Sequence, residues 1–186
     1  MAREKPVGTG PSVIDVRAFC RGDATAQGSL ALASLPRLAT SLQGAADTNV
    51  AWSAHGELRP VTGAAPEHWL QLRANAVVPL QCQRCLQAYL QDLQVDRRFL
   101  FVAHESQAER LDEELEDDVL VMPVRLDLAE LLEDELILAL PLVPRHPGAC
   151  PQPLPLPQDH LPQEAPANPF AALAAMRGRQ RDEPET

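Results

Sequence analysis

Two runs of apolar–polar alternation, "HWLQLRANAVVPL" (68–80) and "AYLQDLQVDRRFLFV" (88–102), flank the short insert "QCQRCLQ". In the first, Leu70, Leu72, Ala74, Ala76 and Val78 share one side, against Gln71, Arg73 and Asn75 on the other. In the second, Tyr89, Leu93, Val95, Phe99 and Phe101 oppose Asp92, Gln94, Asp96 and Arg98. A period of two is what a half-buried strand requires, because successive side chains point to opposite faces of the pleat. Strands separated by so short an insert turn back on each other, so the pair is an antiparallel hairpin with Cys82 and Cys85 at its tip.

The rest of the chain extends this sheet. "SVIDVRAF" (12–19), "GSLALASL" (28–35), "NVAWSAHGEL" (49–58) and "DVLVMPV" (118–124) read as further strands. They follow one another without crossover helices, which predicts an antiparallel meander and an α+β fold. "SLPRLATSL" (34–42) predicts a short helix with Ser34 as its cap and proline in its first turn. The main helix is "DLAELLEDELILAL" (127–140), capped by Asp127. Leu128, Leu131, Leu132, Leu136 and Ala139 fall on one face, with Glu130, Glu133 and Asp134 opposite, so it should cover the sheet. Glu135 falls near the middle of the leucine face, where an unpaired carboxylate is costly. It meets a polar partner there, reaches an arginine such as Arg84 or Arg145, or snorkels out at the helix edge.

Nine prolines between Pro144 and Pro169 mark an extended connector rather than core. The expected organisation is a flexible start (1–11), one α+β domain (12–150) with an acidic loop (105–118), and a proline-rich linker (151–168). A short amphipathic motif (169–179) follows, then a tail (180–186). The N-terminus lacks an apolar signal region, and no run reaches the ~18 apolar residues of a membrane helix. A soluble, cytoplasmic protein is the expectation, in which cysteines serve as thiols or metal ligands rather than structural disulfides.

The net charge of −10 is concentrated. Residues 105–135 hold 13 of the 26 acids against only Arg110 and Arg125, so the remainder is close to neutral. Such a chain lacks the positive surface of a non-specific nucleic-acid binder. Its basic residues are almost all arginine, which suits local phosphate contact better than lysine does.

A redox CxxC of the thioredoxin type needs its first cysteine at a helix N-terminus within a βαβ unit, and none is present. A hairpin-tip CxxC suits half of a tetrahedral zinc site. The other half is available in "RHPGAC", where His146 and Cys150 follow the main helix. Against this stands the 60-residue gap between the halves, far longer than the roughly 12–20 of compact fingers. The other reading has Cys82 and Cys85 packing as small apolar residues, with Cys150 loose in the proline tract. Cys20 has no partner motif and reads as core. His55, His68, His104 and His160 stand on separate elements without fixed-spacing partners. No nucleophile elbow, phosphate loop, dinucleotide fingerprint or metalloprotease helix occurs, so no catalytic residue is assigned.

Three stretches together, "CQRCLQAY", "LLEDELILALPLVPRH…C" and "NPFAALA", resemble the bacterial YceD family of large ribosomal RNA accumulation proteins. The resemblance covers most of residues 70–179. It implies a small non-enzymatic factor supporting synthesis, processing or stability of 23S ribosomal RNA, with a ribosomal protein or the large-subunit precursor RNA as partner. The positions matching its motifs are Cys82, Arg84, Cys85, Glu133, Asp134, Glu135, Pro141, Pro144, His146, Cys150, Asn168, Pro169 and Phe170. Of these, Arg84, Glu133, Asp134, Glu135, Asn168, Pro169 and Phe170 are the candidate partner contacts. Arg84, Arg97, Arg98, Arg177 and Arg179 are the candidate RNA contacts, and Cys82, Cys85, His146 and Cys150 are candidate ligands of one structural Zn²⁺. No membrane or small-molecule partner is expected.

Three function classes therefore stand: a ribosome-assembly factor, a zinc-stabilised adaptor in another pathway, and an enzyme using the Cys/His cluster. Loss of large-subunit RNA on depletion singles out the first. Turnover that disappears in a folded Cys82→Ser, Cys85→Ser protein singles out the last.

Overall fold

The computed structural model describes residues 13–44 and 48–151. The expected N-terminal segment 1–11 and, Pro151 apart, the linker, terminal motif and tail lie outside the described residues, with Asn168, Pro169, Phe170, Arg177 and Arg179 among them.

The two alternating runs form the longest strands. Glu67–Gln81 (here β4) and Ala88–Val102 (β5) pair antiparallel from His68↔Phe101 to Gln81↔Ala88, as their matched periods require. Thr25–Ala31 (β2) and Asn49–Arg59 (β3) add to the other edge of β4, also antiparallel. Asp118–Val121 (β6) completes the order β2-β3-β4-β5-β6. Its pairing with β5 is parallel, the exception to the expected meander. A parallel neighbour needs a crossover, and one is present in residues expected to be an acidic loop. Glu105–Asp112 is a helix (α3), because Ala108 and Leu111 pack onto Trp69, Leu100, Val102 and Val119. Those two residues tie it to the sheet while its acids face solvent.

The opposite face of the sheet carries the main core. Leu70, Leu72, Val78 and Leu80 of β4 and Leu93, Val95, Phe99 and Phe101 of β5 lie there with Val50, Trp52 and Ala54 of β3. They pack against Val16–Arg21 (α1), Pro36–Ala39 (α2) and Leu128–Leu138 (α4). Leu128, Leu132 and Leu136 of α4 are each 0% exposed, as the leucine periodicity predicts. An isolated 11-residue helix is marginal in water, so these leucines, at ~1.5–3 kcal/mol each, hold α4 in place. Asp127 caps it, accepting from the Ala129 N–H at 2.8 Å.

Two local expectations fail near the N-terminus. The run 12–19 keeps only Val13–Ile14 as a strand (β1), paired with Leu126–Asp127 (β7). Asp15 then accepts from the Ala18 N–H at 3.0 Å and turns the chain into α1. This helix lies directly on β3 at Gly56, where an added Cβ would fall 2.5 Å from Phe19 Cδ1. Ser34 does not cap α2. That role falls to Glu133 of α4, whose Oε1 accepts from the Arg37 N–H at 2.7 Å and the Leu38 N–H at 3.1 Å. Its Oε2 takes the Arg37 side chain at 3.0 Å. Glu133 therefore faces inward rather than to solvent, because α2 covers that side of α4.

The architecture is thus α+β, with a mostly antiparallel sheet between a large helical layer and a small one. Among the described residues no helix is long and apolar enough to cross a membrane.

Candidate metal centre

The hairpin tip is a closed loop. The Cys82 N–H donates to Gln87 O at 2.9 Å and the Leu86 N–H to Cys82 O at 2.8 Å. Leu86 takes a left-handed φ of 60°, the reversal that lets β5 begin. The loop turns both sulfurs inward, Cys82 and Cys85 being 0% and 1% exposed. The Arg84 N–H donates to Cys82 Sγ at 3.4 Å, as amides in such a loop do towards a sulfur that carries charge.

A second segment closes over this tip. Residues 139–151, after α4, form no helix or strand, and Pro144 O accepts from the Gln83 N–H at 2.8 Å. That single backbone bond fastens the segment to the loop and brings its two candidate ligands across. His146 Nδ1 lies 3.5 Å from Cys85 Sγ, and Cys150 Sγ lies 3.8 Å from Cys82 Sγ. The four ligand atoms all fall within 4.8 Å of one another. The His146 ring packs tilted on Tyr89, centroid to centroid 5.2 Å. The sequence gap that argued against pairing the two halves is spanned by β5, α3 and α4, which carry the chain out and back.

Electrostatics differ sharply among the thiols. Burial raises the Cys82 pKa, but N–H donation from the backbone of His146, Arg84 and Cys85, together with the His146 side chain, outweighs it and brings the thiol to about 5. Cys150 is pushed up to about 11 by burial, by hydrogen bonding with Cys85 and Cys82, and by their charge. Three sulfurs this close cannot all ionise without a cation between them. Cys20 is a different case. It sits in the core 1% exposed, donates to Trp69 O at 3.2 Å, and burial drives its pKa to about 11.

Three thiols and one imidazole are the donor set of a structural zinc site, and soft sulfur ligands exclude Mg²⁺ or Ca²⁺ as occupants. With four protein ligands no coordination position stays open for a substrate. The cluster can hold a metal ion.

The other residues singled out from the sequence separate into two groups. Arg84 is exposed at the tip and forms no ion pair among the described residues. Glu133 is 5% exposed and committed to α2 and Arg37; Asp134 also pairs with Arg37. Glu135, 7% exposed, reaches Arg97 at 3.4 Å, not Arg84 or Arg145. Its pKa is raised by burial, with Arg97 opposing and Asp118 and Asp134 reinforcing the shift. Arg97 also pairs with Asp118 at 3.0 Å, and Arg98 with Asp117 at 2.7 Å. Arg97 and Arg98, both half exposed, thus face carboxylates that the β5–α3–β6 crossover places opposite them. Arg37 and Tyr89 were not singled out from sequence. Tyr89 carried a cue, closing the stretch "CQRCLQAY" at the foot of the loop, whereas Arg37 carried none.

The family model described as "Large ribosomal RNA subunit accumulation protein YceD" matches residues 70–177. That region takes in β4 from Leu70 on, the tip, β5, α3, α4 and the His146–Cys150 segment. A curated relative from Haemophilus influenzae (strain ATCC 51907 / DSM 11121 / KW20 / Rd), named "Large ribosomal RNA subunit accumulation protein YceD", is 45% identical over 69 residues. The match spans 37% of this chain and 40% of the relative. No solved structure matches.

Proposed function

The chain belongs to the YceD family, and on that premise we propose that it is a cytoplasmic, non-enzymatic factor supporting the synthesis, processing or stability of 23S ribosomal RNA. The observation that carries this reading is the family match over 70–177, which includes both halves of the cysteine–histidine corner. In this reading one structural Zn²⁺ is the only cofactor, and action is by binding.

The partner we favour is a basic ribosomal protein rather than bare RNA. Glu105, Glu109, Asp112, Glu113, Glu114 and Glu116 are exposed on and after α3, a surface suited to a cationic partner. The arginines on the described sheet are largely spent on neighbouring carboxylates: Arg59 on Glu57, Arg73 on Asp96, Arg97 and Arg98 on Asp118 and Asp117. Of the exposed arginines without an ion pair among the described residues (Arg17, Arg21, Arg84, Arg110, Arg125 and Arg145), Arg84 is the one at the tip, and we assign it local RNA contact.

Depletion of the protein in its own host, with large- and small-subunit RNA quantified, tests the function. A selective fall in the large-subunit RNA is expected; unchanged RNA overturns the reading and favours an adaptor outside ribosome assembly. A tagged pull-down at moderate salt after nuclease treatment tests the partner. Retention of a ribosomal protein is expected, and recovery of naked RNA without one contradicts it.

A further inference from the structure

We propose that Cys82, Cys85, His146 and Cys150 form a closed tetrahedral S₃N site for Zn²⁺, and that this ion is the fastener holding residues 141–151 onto the β4–β5 tip. The proposal deepens the structural-zinc part of the function proposed above, and it concerns the purified protein alone.

Two of the six ligand–ligand edges have the length a zinc ion demands, and all six are within 4.8 Å. Zn–S bonds of ~2.3 Å at tetrahedral angles put two sulfurs ~3.8 Å apart; Cys82 Sγ and Cys150 Sγ are 3.8 Å apart. A Zn–N bond of ~2.05 Å beside a Zn–S bond gives an S···N edge of ~3.5–3.6 Å; Cys85 Sγ and His146 Nδ1 are 3.5 Å apart. Each edge joins one ligand from the tip to one from the post-helix segment, so the agreement is not a by-product of the CxxC turn. Nor does either competing arrangement account for it. A disulfide needs sulfurs at ~2.05 Å, and all four cysteines are free. Apolar packing gives no reason for an imidazole nitrogen to face a buried thiol, and a thiol–imidazole hydrogen bond accounts for that one edge but not for two further sulfurs within 4.8 Å of both.

The fastening role follows from what else holds the segment. Leu142, Val143, Arg145, Pro147, Gly148, Ala149 and Pro151 are exposed, and residues 141–151 belong to no helix or strand. The Gln83–Pro144 bond and the His146–Tyr89 contact are the ties described above. Neither repays the entropy of ordering some ten residues at ~1–2 kcal/mol each. A four-ligand ion does, since the free energy of metal binding appears as order in the segments that supply the ligands. On binding, the thiols still protonated release their protons to solvent and the three thiolates and neutral imidazole leave a site of charge −1.

The full-length protein, purified without chelator and assayed for metals, tests the site. One zinc per chain is expected, falling to less than a tenth in Cys82→Ser and in Cys150→Ser and unchanged in Cys20→Ala. Because a ligand variant can misfold, wild-type protein stripped by chelator and reloaded with Co²⁺ provides the second readout. Sulfur-to-cobalt charge transfer with the strong d–d bands of a tetrahedral site is expected. Folded wild-type protein without stoichiometric zinc, a weak octahedral cobalt spectrum, or zinc lost equally in Cys20→Ala each overturns the assignment. Protein that purifies folded without zinc, yet whose depletion lowers large-subunit RNA, overturns the metal alone. Zinc-loaded protein whose depletion leaves that RNA unchanged overturns the ribosomal reading alone.

Discussion

Cys20 and Cys82 are both buried thiols, yet they mark regions closed by opposite physics. Around Cys20, α1 lies on β3, the thiol donates to Trp69 O inside the apolar core, and burial keeps its proton in place. Around Cys82 the chain gathers N–H donors, two more sulfurs and an imidazole, and the thiol gives its proton up. The first region is stable because of what it leaves out. The second needs something brought in, and the difference shows in the backbone: long paired strands in one, an unpaired segment in the other.

That contrast can be broken from the body side. Leu132→Ala, at a fully buried position on α4, is expected to cost ~2–5 kcal/mol in denaturant unfolding while the remaining folded protein keeps its metal. Equal loss of metal and fold would erase the distinction between the regions. Glu133→Ala removes the acceptor for the Arg37 and Leu38 N–H groups, while the half-exposed Arg37 side chain keeps Asp134 as a partner. It is expected to cost about 1–2 kcal/mol through the unpaired N–H groups, read as a lower denaturant midpoint without a change in zinc content. Gly56→Ala forces α1 off β3, since the new Cβ meets Phe19 and the Cys20 backbone. About 1–3 kcal/mol of destabilisation is expected by thermal melting.

The smallest effect has the opposite sign. The Glu135 pKa is raised in the folded state, so the folded protein binds that proton more tightly than the unfolded chain does. Ionisation of Glu135 therefore opposes folding, and its penalty grows as pH rises through the folded pKa. Glu135→Gln should stabilise the protein at neutral pH by less than ~1 kcal/mol, because Arg97 keeps Asp118 as a partner. The gain should shrink as pH falls through the carboxylate range; a gain constant with pH would contradict the assignment.

The elements that could be read from the sequence were those whose own periodicity exceeds their neighbours' influence. β3, β4, β5 and α4 run 11 to 15 residues, long enough for the pattern to repeat. α1 spans six residues and α2 four, too short for a helical period, and both are specified by tertiary partners. The capping of α2 by a carboxylate 96 positions away from Arg37 leaves no local trace. α3 was hidden by its acids, since only Ala108 and Leu111 face the sheet. At the corner, each ligand pair was visible through its spacing, while their meeting was not, because it depends on where β5, α3 and α4 return the chain. Glu135 and Arg97 met for a similar reason, through the placement of α4 over β5.

Hydrogen exchange on the full-length protein, with zinc and after chelation, tests the two-region account most directly. Chelation is expected to speed exchange at least about tenfold for amides of residues 82–88 and 141–150, leaving the paired amides of 70–78 and α4 protected as before. Unchanged exchange at the tip, or loss of protection spread evenly through the leucine core, would show that no ion separates the corner from the body.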